Sequence, residues 1–140
     1  MKELKLIIPG TVRIKKNHKI PIGIPSKNQT RWKYFFGAKG WLSAQVILIS
    51  SSQYQKWEKE ARIAIQPFLD REDMPTSEAV AIIVHVYFKG REPDLTGALE
   101  SIGDCLQGCV WVNDSQIKRI MSATITHDKE NPRTEITVRY

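Results

Sequence analysis

The hydrophobic positions of this chain fall into a small number of runs, and each run predicts an element. Leu4-Lys5-Leu6-Ile7-Ile8 reads as a strand stopped by Pro9-Gly10. The strongest strand signal is Ala79 to Phe88, with Val80, Ile82, Val84, Val86 and Phe88 on one face and Ala81 and Ile83 on the other. Apolar residues on both faces predict a central strand. Ile117, Arg119, Met121, Ala123 and Ile125 alternate with their neighbours, and Val110-Trp111-Val112 reads as the start of that strand. Asp128 to Asn131 then reads as a hairpin loop before Pro132, leading to a last antiparallel strand with Thr134, Ile136, Val138 and Tyr140 on one face. Two runs carry helical spacing instead. Tyr54, Trp57, Ala61, Ala64 or Ile65, and Phe68 follow a capping box of Ser52 and Gln55 and end near Pro67. Ala98, Leu99, Ile102, Cys105 and Leu106 follow Thr96, a residue able to cap, and stop at Gly108.

Between these runs the pattern weakens. Thr11 to Lys39 reads as a long irregular loop in which bases are interleaved with Pro, Gly and aromatics. Trp32, Tyr34 and Phe36 suit either stacking on exposed bases or a buried strand edge. Trp41 to Ile49 is apolar and fits a strand or the lead into a helix. Asp70-Arg71-Glu72-Asp73 reads as a solvated charged loop. With no repeat and no linker, the 140 residues make one α+β domain.

Charge divides the chain in two. The total is +6, with a pI near 9.4. Residues 1–46 hold ten Lys/Arg against Glu3 alone, a local +9, whereas residues 47–140 hold eleven bases and fourteen acids, a local −3. A basic half beside a mildly acidic half suits a polyanionic partner held next to a cation-holding site, although solubility charge gives the same totals. Arg13, Lys15, Lys16, Lys19, Arg31 and Lys33, with Lys89, Arg91, Lys118 and Arg119, are the candidate nucleic-acid-binding bases.

Cys105 and Cys109 are too few for a disulfide framework, and His18, His85 and His127 are too scattered to complete a zinc site with them. The apolar stretch before Pro9 is too short for a signal peptide, and Val46 to Ile49, the longest apolar run, is far short of a membrane span. A soluble, cytoplasmic protein with no membrane partner is expected.

The acids carry the chemistry. Asp94, Glu100, Asp104 and Asp114 lie within 21 residues, spread over a strand end, a helix and a turn. Glu100 and Asp104 are helical neighbours at i, i+4 and repel by roughly 0.2–0.5 kcal/mol. Asp104 also sits in the last turns of its helix, where the dipole disfavours a negative charge by up to about 1 kcal/mol. A bound cation would offset both penalties, and so would Lys89, Arg91 or Lys118. Phosphodiester hydrolysis uses a hard cation held by a few carboxylates, which suits these residue types.

Lys89-Gly-Arg-Glu-Pro-Asp-Leu-Thr-Gly-Ala-Leu-Glu-Ser-Ile-Gly-Asp-Cys-Leu-Gln-Gly108, followed by Val112-Asn-Asp-Ser-Gln-Ile117, resembles the signature of the RusA family of Holliday-junction endonucleases. That signature is a basic run, P-D-L-D-N-L-x-K, a helix bearing D-A-L-x-G, and D-D-x-Q-I. The resemblance implies a single RusA-like α+β domain over residues 1–140, with a mixed or antiparallel sheet packed against two or more helices. It also implies a homodimer that binds four-way DNA junctions and cuts them with Mg²⁺, or Mn²⁺, in the cytoplasm of a bacterial or phage-infected cell. Position by position, Asp94, Asp104 and Asp114 match family acids and are the expected metal ligands; with Glu100 they form the expected catalytic set. The chain departs from the pattern at Thr96 and Asn113, where Asp is expected, at Gly97, where Asn is expected, and at Glu100, where a functional Lys is expected. Glu100 restoring the charge lost at Thr96 is one implied arrangement. A degenerate site that binds branched DNA without cutting it is the other.

Overall fold

The computed structural model describes residues 1–15 and 51–140 in full, together with the backbone of Lys19–Pro25 and Ala44–Ser50. Its elements are β1 (Glu3–Pro9), β2 (Lys19–Pro25), β3 (Ala44–Ser50), α1 (Ser52–Ile65), β4 (Val80–Phe88), α2 (Leu95–Leu106), β5 (Ile117–His127) and β6 (Arg133–Arg139). Four strands form a mixed sheet in the order β1-β6-β4-β5, and β2 pairs with β3 in a separate two-stranded sheet. The α+β reading holds, with a strand inside the stretch expected to be an irregular loop.

One core holds the larger sheet to the helices. Leu4, Leu6 and Ile8 from β1, alternate residues Val80 to Val86 from β4, and Ile136 and Val138 from β6 share it with Tyr54, Trp57, Ala61 and Ile65 from α1 and Ala98, Ile102, Cys105 and Leu106 from α2. Each fully buried Leu or Ile contributes roughly 1.5–3 kcal/mol relative to exposure. β4 is central, as expected, and lies antiparallel to β6 and parallel to β5. Helix α1 begins one residue earlier than the expected capping box, because Ser51 supplies the cap and accepts from the Tyr54 amide. Phe68 lies beyond α1 in a 3-10 turn over Gln66–Phe68 and is 40% exposed.

Three local expectations are corrected. Residues 128–132 do not form a hairpin, since β5 and β6 are not neighbours; the loop passes the end of β4, where the Asp128 amide donates to the Phe88 carbonyl at 2.8 Å. Asp128 folds this loop by accepting from the Glu130 and Asn131 amides, and Arg133 pairs with it at 3.1 Å. Trp111 does not start a strand. It is wholly buried and makes isolated bridges to Thr76 and Gln107. Finally, Asp73 is no free solvated charge: its carboxylate accepts from Lys2 Nζ and from the Tyr140 hydroxyl, each at 2.8 Å. That network fastens both chain ends to the loop after α1. No helix among the described residues is long and apolar enough to cross a membrane.

The hydrogen bond from Lys2, followed by that from Tyr140, lowers the Asp73 carboxyl from 3.8 to about 2. The folded chain therefore holds this proton less readily than the unfolded chain. The resulting stabilisation is present above the unfolded value and is lost as pH falls through the folded one. Urea midpoints measured from pH ~5 down to pH ~2 should fall, and Asp73→Asn should flatten part of that slope while lowering the midpoint at the upper end.

Candidate active site

Parallel strands need a crossover between them, and α2 is the crossover from β4 to β5. The strand delivers Lys89, Gly90 and Arg91 at its C-terminal end, where Gly90 takes φ +80°, a conformation that costs glycine little. The Lys89 amide donates to Thr11 Oγ1 at 3.1 Å, joining this turn to the segment after β1. Asp94, not Thr96, caps α2. Its Oδ2 accepts from the Gly97 amide at 3.1 Å and from the Thr96 hydroxyl at 3.0 Å. At the far end the chain leaves α2 through Gly108, at φ +83°, and reaches a 3-10 turn over Asp114–Gln116.

That turn is held by two glutamines. Gln107 Oε1 accepts from the Asp114 amide at 3.1 Å. Gln116 Oε1 accepts from the Asn113 amide at 2.8 Å, while its Nε2 donates to the Thr76 carbonyl at 2.9 Å and the Glu78 carbonyl at 2.7 Å. Gln116 thus uses both ends of its amide to fix the turn carrying Asp114 against the strand-like segment before β4. Asn113 caps the same turn, accepting from the Ser115 amide at 2.9 Å. The side chain at position 113 therefore has a structural task that an amide performs well.

Glu100, Asp104 and Asp114 line one open cleft of about 430 Å³, together with Leu99, Gly103 and Ile117. Asp94 lines a different one, of about 790 Å³, with Arg13, Lys89 and Arg91. Helix geometry explains the separation. Ten residues of helix at 1.5 Å each put Asp94 and Asp104 ~15 Å apart along the axis. Asp114 lies beyond the opposite end from Asp94. The expected trio Asp94, Asp104 and Asp114 is therefore not brought to one point, and among the described residues no three His, Cys, Asp or Glu side chains are close enough to hold an ion together. The expected neighbours Glu100 and Asp104 do share a cleft, and Asp114 joins them.

The segment from Thr11 to Lys15 runs along α2, bringing Arg13 to the basic cleft and Lys15 to Asp104. Val12 and Ile14 are buried, while Arg13 is exposed. Ile14 lies so close to α2 that a Cβ on Gly97 would sit 2.8 Å from its Cγ2 and 3.2 Å from Asp94 Oδ2. The departure from Asn to Gly at this position is thereby explained: there is no room for a side chain. One residue on, the Lys15 amide donates to Ser101 Oγ at 3.0 Å, and Lys15 Nζ lies 3.3 Å from Asp104 Oδ2. Lys15, rather than Lys89, Arg91 or Lys118, is the base beside Asp104. Arg62 of α1 adds a second positive charge near the end of α2, its Nε donating to the Cys105 carbonyl at 3.1 Å. Cations near helix C-terminal carbonyls are favourable, so Arg62 offsets part of the dipole penalty at Asp104.

Of the other sequence candidates, Lys118 and Arg119 are exposed at the start of β5 and line neither cleft. Lys19 lies in β2, whose backbone alone is described, and Lys16, Arg31 and Lys33, with Trp32, Tyr34 and Phe36, fall outside the described residues. Cys105 is buried, which pushes its thiol up to about 12 and leaves it a packing residue. Gln107 and Arg62 are contributors that the sequence did not single out, and Gln116 was singled out without a structural role. Only Gln116 had a signal, its place beside Asp114 in the D-x-Q-I pattern.

Residues 23–139 match the family model Endodeoxyribonuclease RusA. The chain belongs to the RusA family. Its members are Holliday-junction endonucleases, and the α+β fold with its mixed sheet and two helices agrees with that membership. A comparison with curated proteins found no match.

Two substitutions test how the site is built. Gln116→Leu strands two carbonyls and an amide and should lower stability by about 1–3 kcal/mol. Gly97→Asn, which restores the family residue, should instead cost about 1–3 kcal/mol by driving a side chain into Ile14. Urea denaturation of both variants measures these losses.

Proposed function

We propose that this protein is a divalent-metal-dependent, structure-selective endonuclease that resolves four-way DNA junctions, with Mg²⁺ as its working ion and Mn²⁺ as a substitute. The observation that carries this reading is the placing of three carboxylates, Glu100, Asp104 and Asp114, on one cleft and of Arg13, Lys89 and Arg91 on another. The donor chemistry suits the ion, although Glu100, Asp104 and Asp114 are not close enough to hold it as a threesome. All three are hard oxygen ligands, and Mg²⁺ keeps several waters and needs only one or two direct carboxylates. Family members are generally dependent on a divalent metal. When bound, the ion supplies charge neutralisation at the phosphate and a more acidic water.

The remaining work falls to the chain. Arg13, Lys89 and Arg91 hold phosphates of the junction and set its position relative to α2. Asp104 and Asp114 would be the carboxylates to hold the cation, and Glu100, a turn before Asp104, would accept a proton from the attacking water. The water oxygen bonds to phosphorus, the bond from phosphorus to the leaving sugar oxygen breaks, and that oxygen takes up a proton from solvent. Asp94 holds the start of α2 and borders the phosphate-binding cleft. Two opposed strands must be cut to resolve a junction, so the reading takes the active form to be a twofold homodimer acting in the bacterial cytoplasm.

A second reading, a family member that binds branched DNA without cutting it, has one observation in its favour. Asp94 Oδ2 is committed to capping α2 through Thr96 and Gly97, at the position where the family pattern begins its acids. A synthetic four-way junction and a linear duplex, each incubated with the protein and Mg²⁺ or Mn²⁺, decide between the two. Junction cleavage with either metal supports the nuclease; salt-sensitive junction binding without cleavage supports the second reading. Asp104→Asn and Asp114→Asn should abolish cutting, and Glu100→Gln should slow it by about 10²-fold or more. Unchanged activity in Glu100→Gln would remove that residue from the reaction.

Binding itself should weaken steeply with salt. Replacing Arg13 and Arg91 together by Ala should reduce the magnitude of the slope of log K against log salt by about 2, since each phosphate contact contributes about 0.9. Fluorescence anisotropy with labelled junction DNA measures the slope.

A further inference from the structure

The short segment after β1 is a ridge with a cleft on each side. One side is the basic cleft of Arg13, Lys89 and Arg91. The other cleft, of about 300 Å³, is lined by Thr11 and Arg13 from the ridge and by Gln53, Lys56, Trp57 and Glu60 from α1. The ridge itself is held fast. The Gly10 amide donates to the Pro132 carbonyl at 2.9 Å, Thr11 Oγ1 accepts from the Lys89 amide at 3.1 Å, and Val12 is buried. Arg13 stands exposed on its crest, lines both clefts and makes no ion pair among the described residues.

We propose that the cleft between this ridge and α1 is a second site for the phosphate backbone, and that bound DNA crosses the ridge at Arg13 to reach Lys56. The inference rests on reading the protein as a DNA binder. Gln53, Lys56 and Glu60 follow one another at three and four residues, so they share the exposed side of the first turns of α1. Lys56 has one ion pair among the described residues, to Glu60 at 3.9 Å, with side chains 77% and 62% exposed. So exposed a pair contributes little, and a phosphate displaces Glu60 readily. The first turn of α1 carries no acid, which leaves the positive end of the helix dipole to an incoming anion. Trp57 supplies an independent sign. It is 6% exposed, and its Nε1, which can only donate, is buried without an acceptor. Folded chains seldom strand such a donor, and an occupant rich in acceptor oxygens, with the water it carries, supplies what the chain lacks.

The test is a salt series of fluorescence anisotropy titrations with a labelled four-way junction, run in EDTA so that cutting does not intervene. Lys56→Ala should reduce the magnitude of the slope of log K against log salt by about 0.9, the share of one phosphate contact. The position is exposed and helical, where alanine is well tolerated, so the variant should fold. Lys56→Arg should restore the slope. Lys59→Ala is the control, since Lys59 lies on the same helix but lines a separate hollow with Arg62 and Gln66. It should leave the slope unchanged. An unchanged slope in Lys56→Ala overturns the second site. So does an equal loss in Lys59→Ala, because the effect would then be that of net charge and not of this cleft. A slope that falls when Arg13 and Arg91 are replaced, but not when Lys56 is, keeps the DNA reading and removes only the second site. A protein that binds no junction DNA at any salt concentration overturns both.

Discussion

The parallel pairing of β4 with β5 is the constraint on which the rest of the molecule depends. Parallel neighbours cannot be joined by a tight turn, so the chain must travel back along the sheet before β5 begins. Helix α2 is that return path, and its length decides what can meet what. Residues at its start stay near the end of β4, among Lys89, Arg91 and Arg13. Residues in its later turns come near the start of β5, where Asp114 waits in its 3-10 turn. A basic end and an acidic end follow from one crossover.

The second determinant is the way the segment after β1 uses the surface of α2. Gly97 and Ser101 are four residues apart and therefore lie on the same face. The first offers a gap that Ile14 fills, and the second offers a hydroxyl that the Lys15 amide uses. Apolar packing and one buried hydrogen bond thereby place two charges, with Arg13 at the basic cleft and Lys15 at Asp104. Basic composition in this part of the chain suggested a partner for polyanions. The placement of particular bases depends on the apolar residues between them, which composition does not reveal.

Much of the fold was legible because burial leaves a period in the sequence. β4 is apolar on both faces, and it is central; Tyr54, Trp57, Ala61 and Ile65 recur at helical spacing, and they line the core. What alternation does not carry is the identity of a strand's neighbour. The residues of β5 and β6 alternate equally well whether the two strands pair with each other or both flank β4, so the loop over 128–132 was read as a hairpin. Trp111 misled for a related reason: a large apolar residue between two valines has strand composition, yet two isolated bridges bury it just as fully. The acids show the same limit at the site. Their spacing identified the family signature, and i, i+4 neighbourhood put Glu100 with Asp104. Convergence of Asp94 with them needed a bend that α2 does not make.

Rise along α2 also gives the departures from the family pattern a direction. An acid is missing at Thr96, and one is present at Glu100, four residues later, which is ~6 Å further along the axis. If Glu100 merely replaced the missing charge, it would stand beside Asp94. Instead it lines the cleft of Asp104 and Asp114, in the middle of the helix and away from the cap. At the N-terminal end, Thr96 uses its hydroxyl to bond Asp94, which completes the cap and commits that oxygen to structure. The combined effect is a shift of negative charge away from the start of α2 and toward its middle. Lys15 then meets that charge at Asp104 from the opposite chain segment. The departures at 96, 97 and 100 thus lie along a single helix, and they divide the polar groups between a structural cap and an acidic cleft.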